Sequence, residues 1–451
     1  MMLILLLIAF SAVAAVPSQF PFTSATHETN VCPFPLPYIP PPSSSLHEPP
    51  LQAALHDIKK LILRFESDSS VKSLSVSLVQ GQNTLLTYGP ENSYYLIGSI
   101  TKTFVGLLMM LMRDEGKISL EDKLNKYIPS FKIRDPYYGG FALPTLRMLA
   151  SHAAGLPREH CPEPDCKKYT EEQVLEYLSN SELLRPLYSD TPAYSNLGIS
   201  LLGHALERVC GNEWGECLKT YVFNRLGMNS TGTLATPDLV DNFAPNPYGD
   251  SSKLFNVGYG NPSAFLTDQL GLQPYSIDEW TRAQTILPDG ETAFGMTFEL
   301  LRPSIETGWM VSKSGSVPGY KSIILFHKQL KLGIVVLVGG EKRPILVATE
   351  IMEKILPAIR GKFAAYAKTR YVGKYAGATD ECTVMKEINI CNGTLTVELN
   401  KNKNTLRGEV DLNFVYYNIT VNNRFQVLLV PDEADVDNKG QVPMVKEFQT
   451  I

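Results

Sequence analysis

Apolar positions along the chain change period several times, and each change predicts an element. "LQAALHDIKKLILRFES" (51–67) repeats Leu, Ile and Phe at helical spacing and predicts an amphipathic helix at the start of the folded region. "SLSVSLVQGQNTLLTYG" (73–89) alternates around a glycine-containing turn and reads as a β-hairpin. From about residue 100 to 300 the chain reads as mainly helical and loop-rich, with "LGISLLGHALERV" (197–209) its clearest helix. Strand patterning returns from Trp309, in "GYKSIILFH" (319–327) and "LGIVVLVGG" (332–340). A long helical stretch, "PILVATEIMEKILPAIRGKFAAYAK" (344–368), follows; Pro357 inside it predicts a kink or a split, because proline removes one helix hydrogen bond.

The order strand, helical middle, strands, long helix predicts one α/β unit carrying a helical insertion. Beyond Thr369 the pattern becomes short alternating runs separated by Asn, Gly and Asp, which predicts a small all-β domain over 369–451. At the other end, "VCPFPLPYIPPPSSSLHEPP" (31–50) holds eight prolines in twenty residues and belongs to an extended lead-in over 16–50. The apolar run in "MMLILLLIAFSAVAAVPS" ends in small residues, with Ala12 and Ala14 spaced as a cleavage site requires, so residues 1–15 read as a signal peptide. That run is shorter than the roughly 20 residues of a membrane span, and no span is expected in the mature protein.

Composition narrows the partners. The 451 residues are 44% apolar and 19% charged, with a formal net charge of −5, and no basic stripe points to nucleic acid. Six of the seven cysteines fall into close pairs, Cys161 with Cys166, Cys210 with Cys217, and Cys382 with Cys391, as local disulfides in an oxidising compartment would; Cys32 is left over. Glycosylation sequons stand at Asn229, Asn392 and Asn418. Together these features predict a secreted protein.

Candidate chemistry lies in three stretches. In "YLIGSITKTFVGLLMMLMRDEGK" (95–117), Ser99 stands at the start of a very apolar helix with Lys102 three residues later, on the same face. A helix N-terminus disfavours a cation, and burial disfavours it further, so Lys102 is expected to be neutral enough to take a proton from the serine. The same spacing recurs at Ser69 and Lys72, in a polar loop. "DTPAYSNLGISLLG" (190–203) carries Tyr194-Ser195-Asn196, where Tyr194 could equally be a core aromatic and Asn196 a helix cap. "VSKSGSVPGYKS" (311–322) carries Lys313-Ser314-Gly315 leading into a strand.

An SxxK, a YxN and a KxG in this order resemble the serine β-lactamase and penicillin-binding-protein superfamily, closest to its class C-like and esterase-like branch. The resemblance runs from about residue 55 to 365 and includes "TLRMLASHAAGLPRE" (145–159) and "NRLGMNST" (224–231). It implies an α/β fold, an antiparallel sheet flanked by helices with a helical insertion subdomain, within a hydrolase domain over 51–368. It also implies that Ser99 is the acylated nucleophile, Lys102 its proton acceptor and Tyr194 a proton shuttle. Asn196 would orient Lys102 and the substrate amide, and Lys313 would attract a substrate carboxylate and hold Tyr194 poised. The backbone N–H groups of Ser99 and Ser316 would form the oxyanion hole, beside Ser314 and Gly315 at the substrate.

The implied reaction is hydrolysis of an amide, ester or β-lactam carbonyl in a small molecule or peptide, carboxylate-bearing if Lys313 is any guide. The alternative is a binding or scaffolding protein that retains the fold. Many relatives carry a glycine-rich segment before the third motif, where this chain has only "GNPSAFLTDQLG" (260–271). No GxSxG, HxH or HExxH occurs, and no phosphate-cradling loop, so neither a metal nor a cofactor is expected. His152, in "LASHAAGL", reads as structural, satisfying backbone groups.

Overall fold

The computed structural model describes residues 48–81, 83–90, 93–159, 170–233, 242–247, 272, 274–302, 309–328 and 330–370, together with the backbone strands of the C-terminal region; side chains are described as far as Ile359. Helix α1 (Pro49–Glu66) starts on a proline, whose fixed φ suits the first turn, and buries Leu51, Leu55, Ile58, Ile62 and Phe65 as one stripe. The hairpin of β1 (Val71–Gln80) and β2 (Asn83–Tyr88) follows, as the alternation predicts. Helix α2 (Thr101–Asp114) buries every residue from Thr103 to Met112 and is the central helix of the insertion. Around it lie α3 (Leu146–Ala150), α4 (Glu171–Ser179), α5 (Asn196–Cys210), α6 (Trp214–Leu218) and α7 (Pro274–Thr281).

The sheet is completed by β3 (Thr285–Ile286), β4 (Thr292–Phe294), β5 (Glu299–Leu301), β6 (Met310–Val317), β7 (Tyr320–His327) and β8 (Leu332–Gly340). Its eight strands run in the order β2-β1-β8-β7-β6-β5-β4-β3, and every pair is antiparallel. Strands therefore return at Thr285, earlier than the pattern suggests: β3 to β5 have only two or three residues each, too few to display an alternation.

The sheet divides two cores. Ile323, Leu325, Ile334, Val336 and Val338 face α1 and the long helix α8 (Pro344–Arg370), whereas Ile324, Phe326, Val335 and Leu337 face the helical insertion. Cover on both faces explains why β8 is apolar without interruption. Pro357 neither splits nor ends α8. Pro357 and Glu353, whose carbonyl loses its helical partner, both lie on the exposed side of the helix, where water can replace that bond; the buried side keeps its ladder through Ile351, Ile355 and Ile359.

After α8 the backbone forms a second, antiparallel sheet from β9 (Gly373–Gly377), β10 (Thr383–Met385), β11 (Ile388–Leu399), β12 (Leu406–Tyr416), β13 (Ile419–Leu428) and β14 (Phe448–Thr450). Five of these run in the order β13-β12-β11-β9-β14, and β10 pairs with β11. Of the expected disulfides, Cys210–Cys217 is formed and ties the end of α5 to α6. The other two pairs, Cys32 and the segment 260–271 lie outside the described side chains. No helix among the described residues is long and apolar enough to cross a membrane.

Candidate active site

Ser99 is the middle residue of a single 3-10 turn, Gly98–Ile100, that runs into α2. Gly98 has φ +52°, and a Cβ there would come within 2.7 Å of the Ser316 nitrogen. A Cβ on Gly315 would come within 1.9 Å of the Ile97 carbonyl oxygen. Only glycines let segment 97–99 and strand β6 close to backbone contact, and Ser322 fastens that contact by donating its hydroxyl to the Ile97 carbonyl at 2.7 Å. The closure brings Gly98, which precedes Ser99, against the Ser316 backbone.

Lys102 Nζ lies 2.9 Å from Ser99 Oγ, and Tyr194 Oη lies 3.1 Å from the same oxygen. Burial first of all holds the Lys102 amine below its ordinary pKa, and the positive charge of Lys313 adds to this, although Tyr194 and Glu159 pull the other way. For Tyr194 the balance differs. Burial alone would raise the phenol, but Lys313, Lys102 and the hydrogen bonds with Ser99 and Lys102 outweigh it and leave the group below its usual range. Both candidate proton carriers are thus moved toward neutral pH by their surroundings.

The loop carrying Tyr194 is held by His152, which has φ +59° just after α3 and is 3% exposed. Its carbonyl accepts the Ala193 N–H at 2.9 Å, its Nδ1 accepts the Ser195 N–H at 3.2 Å, and its ring stacks on Tyr194 with centroids 4.4 Å apart. The structural role expected of His152 is this clamp. Burial, followed by the charges of Lys102, Lys313 and Arg158, lowers the imidazole pKa from 6.5 to about 3. An unfolded chain would bind that proton near pH 6.5 and the folded chain only near pH 3. Stability is therefore complete above the upper value and falls as the pH drops through this window, by at most about 1.4 kcal/mol per pH unit. Denaturant titrations of wild type and His152→Gln across that range should show a shallower acid limb in the variant; parallel limbs would contradict the assignment.

Ser195, rather than Asn196, caps α5: its hydroxyl accepts the Gly198 N–H at 2.8 Å and donates to the Pro157 carbonyl at 2.6 Å. Asn196 is the first residue of the helix, and its amide donates to Glu159 Oε1 at 2.5 Å, while the hydrogen bonds of Lys102 go to Ser99 and Tyr194. Glu159 thus competes for the amide expected to orient Lys102. Lys313 completes the cluster, with Nζ 5.4 Å from the Tyr194 ring centre, the same distance as Lys102 Nζ. Its side chain is 2% exposed, and its ammonium donates to Glu299 Oε1 at 2.6 Å and to the Ser314 carbonyl at 3.0 Å. The cation expected to meet a substrate carboxylate already has an anion beside it.

Glu299, Glu159 and Arg158, whose guanidinium lies 5.0 Å from the Tyr194 ring centre, are the neighbours that sequence reasoning did not name. For Glu299 a signal exists: it is the single acidic residue in the apolar run "MTFELL", just as Lys313 is the single cation in "MVSKSG", and two such residues on neighbouring strands can pair. By contrast, Lys72 of the second SxxK donates to the Ser69 backbone carbonyl in an exposed turn.

A serine, lysine and tyrosine meeting at the foot of an antiparallel sheet, under a β6 strand bearing a second lysine, define the serine β-lactamase and penicillin-binding-protein superfamily. The profile described as Beta-lactamase matches residues 59–350, and the chain belongs to that family. It is 32% identical over 338 residues to Beta-lactamase-like protein 2 of Dictyostelium discoideum, covering 66% of this chain and 61% of that relative. It is 26% identical over 276 residues to the D-alanyl-D-alanine-carboxypeptidase/endopeptidase AmpH of Escherichia coli (strain K12), covering 55% of this chain and 71% of that one. The match thus spans about three-fifths of the Dictyostelium relative's length. Among solved structures, the β-lactamase/D-alanine carboxypeptidase from Yersinia pestis superposes with a TM-score of 0.56 at 18% identity, over 68% of this chain and 99% of that one. At that identity the likeness shows the fold.

Proposed function

We propose that this protein is a serine hydrolase that works through an acyl-enzyme on Ser99. The observation that carries the reading is the double contact at Ser99 Oγ, with Lys102 at 2.9 Å and Tyr194 at 3.1 Å, where both partners have lowered pKa values. A neutral Lys102 amine can take the serine proton as Oγ attacks a carbonyl carbon. The N–H groups of Ser99 and Ser316 would hold the oxygen that becomes negative. Lys102 and Tyr194, acting as one coupled pair, would then return the proton to the departing group, and water would release the acyl chain by the reverse steps. The carbonyl belongs to an ester, an amide of the kind named in the AmpH relative, or a β-lactam.

We also infer passage through an oxidising, secretory compartment, supported by the Cys210–Cys217 disulfide, the exposed Asn229 sequon and the apolar run that ends in small residues before Val16.

One experiment tests both readings. Intact-mass spectrometry of protein from its native source, after exposure to a penicillin and separately to an uncharged activated ester, should show an acyl adduct that is absent in Ser99→Ala. The same spectrum should show residues 1–15 removed. Folded protein that takes up neither compound would mean a binding protein built on a hydrolase fold, and a mass that retains residues 1–15 would count against secretion.

A further inference from the structure

We infer that Glu299 sets the substrate class of this site, so that the chain acts on acyl compounds with no carboxylate in the part lying along β6. The inference rests on the serine-hydrolase reading above and narrows it.

The geometry is that of a cation already committed. Lys313 is buried to 2% exposure, and its ammonium is held between Glu299 Oε1 at 2.6 Å and the Ser314 carbonyl at 3.0 Å. The other oxygen of the same carboxylate, Oε2, accepts the Ser314 hydroxyl at 3.0 Å and faces the Ser314 N–H at 3.4 Å. Thus the two β6 groups that could donate to a substrate anion, the Lys313 ammonium and the Ser314 hydroxyl, both turn toward Glu299. The Glu299 side chain keeps 24% of its surface exposed, so what an incoming ligand meets beside Ser314 is a carboxylate. A second carboxylate placed there would lose its lysine partner and face a like charge at short range, which recognition sites use to reject a ligand.

Register explains why Glu299 can reach both groups. Strand β5 pairs with β6 only from Met310 to Ser312, with Glu299 opposite Ser312 at the last rung. Lys313 and Ser314 therefore begin the stretch of β6 that has left its β5 partner, and the Glu299 side chain covers its first two residues. An uncharged ester or amide can lie along this stretch without disturbing the pair.

The test uses two aryl esters with one acyl group, whose leaving groups are phenol and 3-hydroxybenzoate. In each, the Ser99 oxygen bonds to the acyl carbon as the bond from that carbon to the aryl oxygen breaks, and the serine proton ends on the departing phenol oxygen; water then restores Ser99 and frees the acid. Each kcat/KM is divided by the rate with hydroxide to remove intrinsic reactivity. Wild type should prefer the phenyl ester by about tenfold or more, as expected for one like-charge contact near a protein surface. Glu299→Gln should move that ratio at least about tenfold toward the carboxylated ester, and Lys313→Gln in the same chain should cancel the gain.

A purely structural Glu299 would lower both rates together and leave the ratio unchanged, which would overturn the inference. So would a wild-type preference for the carboxylated ester, a result that needs no variant to fold. Hydrolysis of neither ester by folded wild type would remove the serine-hydrolase reading and this inference with it. Hydrolysis of both at equal normalised rates would remove the inference alone.

Discussion

Replacing Lys102 with Met is expected to abolish acylation of Ser99 while raising the melting temperature. The two effects have one cause. Burial holds the amine below its ordinary pKa, which makes it a proton acceptor and also makes it costly to bury. Loss of a positioned base costs on the order of 100- to 10,000-fold, and the role proposed for Lys102 in both half-reactions places this variant at the upper end. Met fills a similar volume beside Tyr194 with no charge to desolvate, so the melt should rise by roughly 2–4 °C at neutral pH.

The sign follows from the depressed pKa. Below it, folded and unfolded chains both carry the proton and the folded chain bears the cost; toward pH 10.5 the unfolded chain sheds it too, and the advantage of Met disappears. For the same reason, acylation in wild type should rise with pH as Lys102 loses its proton. Burst measurements with an activated ester and melts at neutral and alkaline pH check both halves, and a variant that melts below wild type at neutral pH would contradict the account.

Gly315→Ala is expected to be the most damaging single methyl group in the site. The new Cβ would lie 1.9 Å from the Ile97 carbonyl oxygen and 2.4 Å from Ser322 Oγ. The serine can rotate away, but the carbonyl belongs to the backbone that positions Ser99, so segment 97–99 and β6 must part. Overpacking of this kind costs about 1–3 kcal/mol. Parting the two backbones would also disturb the oxyanion hole proposed for the Ser99 and Ser316 amides, and loss of one such donor lowers acyl transfer by roughly 100- to 1,000-fold.

Gly203→Ala is the matching control. Gly203 lies within α5 with nothing inside 4 Å of its added Cβ, so alanine there should gain about 0.5–1 kcal/mol of helix stability and leave acylation unchanged. Circular dichroism melts with acylation rates on the pair would decide it: equal behaviour of the two variants would rule out the close-contact explanation.

The parts of the fold legible in the sequence were those whose period is set by burial on one side or both. The stripe of α1, the β1–β2 alternation and the apolar runs of β7 and β8 all follow from the two cores that the sheet divides. The edge strands β3 to β5 are too short to show any period, and the continuity of α8 at Pro357 depends on which side of the helix meets water, a tertiary fact. In the site, Lys102 stands out by itself because a cation at the start of an apolar helix is incongruous, whereas Ser99, Tyr194 and Lys313 were legible through the order SxxK, YxN and KxG that resembles the superfamily. Their neighbours were not: Glu159 and Arg158 acquire meaning only through their contacts, and the lone acid of "MTFELL", Glu299, only once the register sets it beside Lys313. The two SxxK sequences make the same point, for Ser69 and Lys72 share the spacing of Ser99 and Lys102 and differ only in what surrounds them.

The strand order has a consequence for how the molecule is made. Strand β1 leaves a synthesising ribosome early, yet its partner on the inner side is β8, with Gln80 opposite Leu332. The β1–β8 pairing therefore cannot close until the whole insertion has emerged, which at about 5–20 residues per second leaves the edge of β1 open for more than ten seconds. During that interval the alternating face "SLSVSLV" offers unpaired backbone groups to any other strand. Contacts so distant in sequence also slow the search for the native pairing. This topology thus leaves an open strand edge in the nascent chain that only the late arrival of β8 can close.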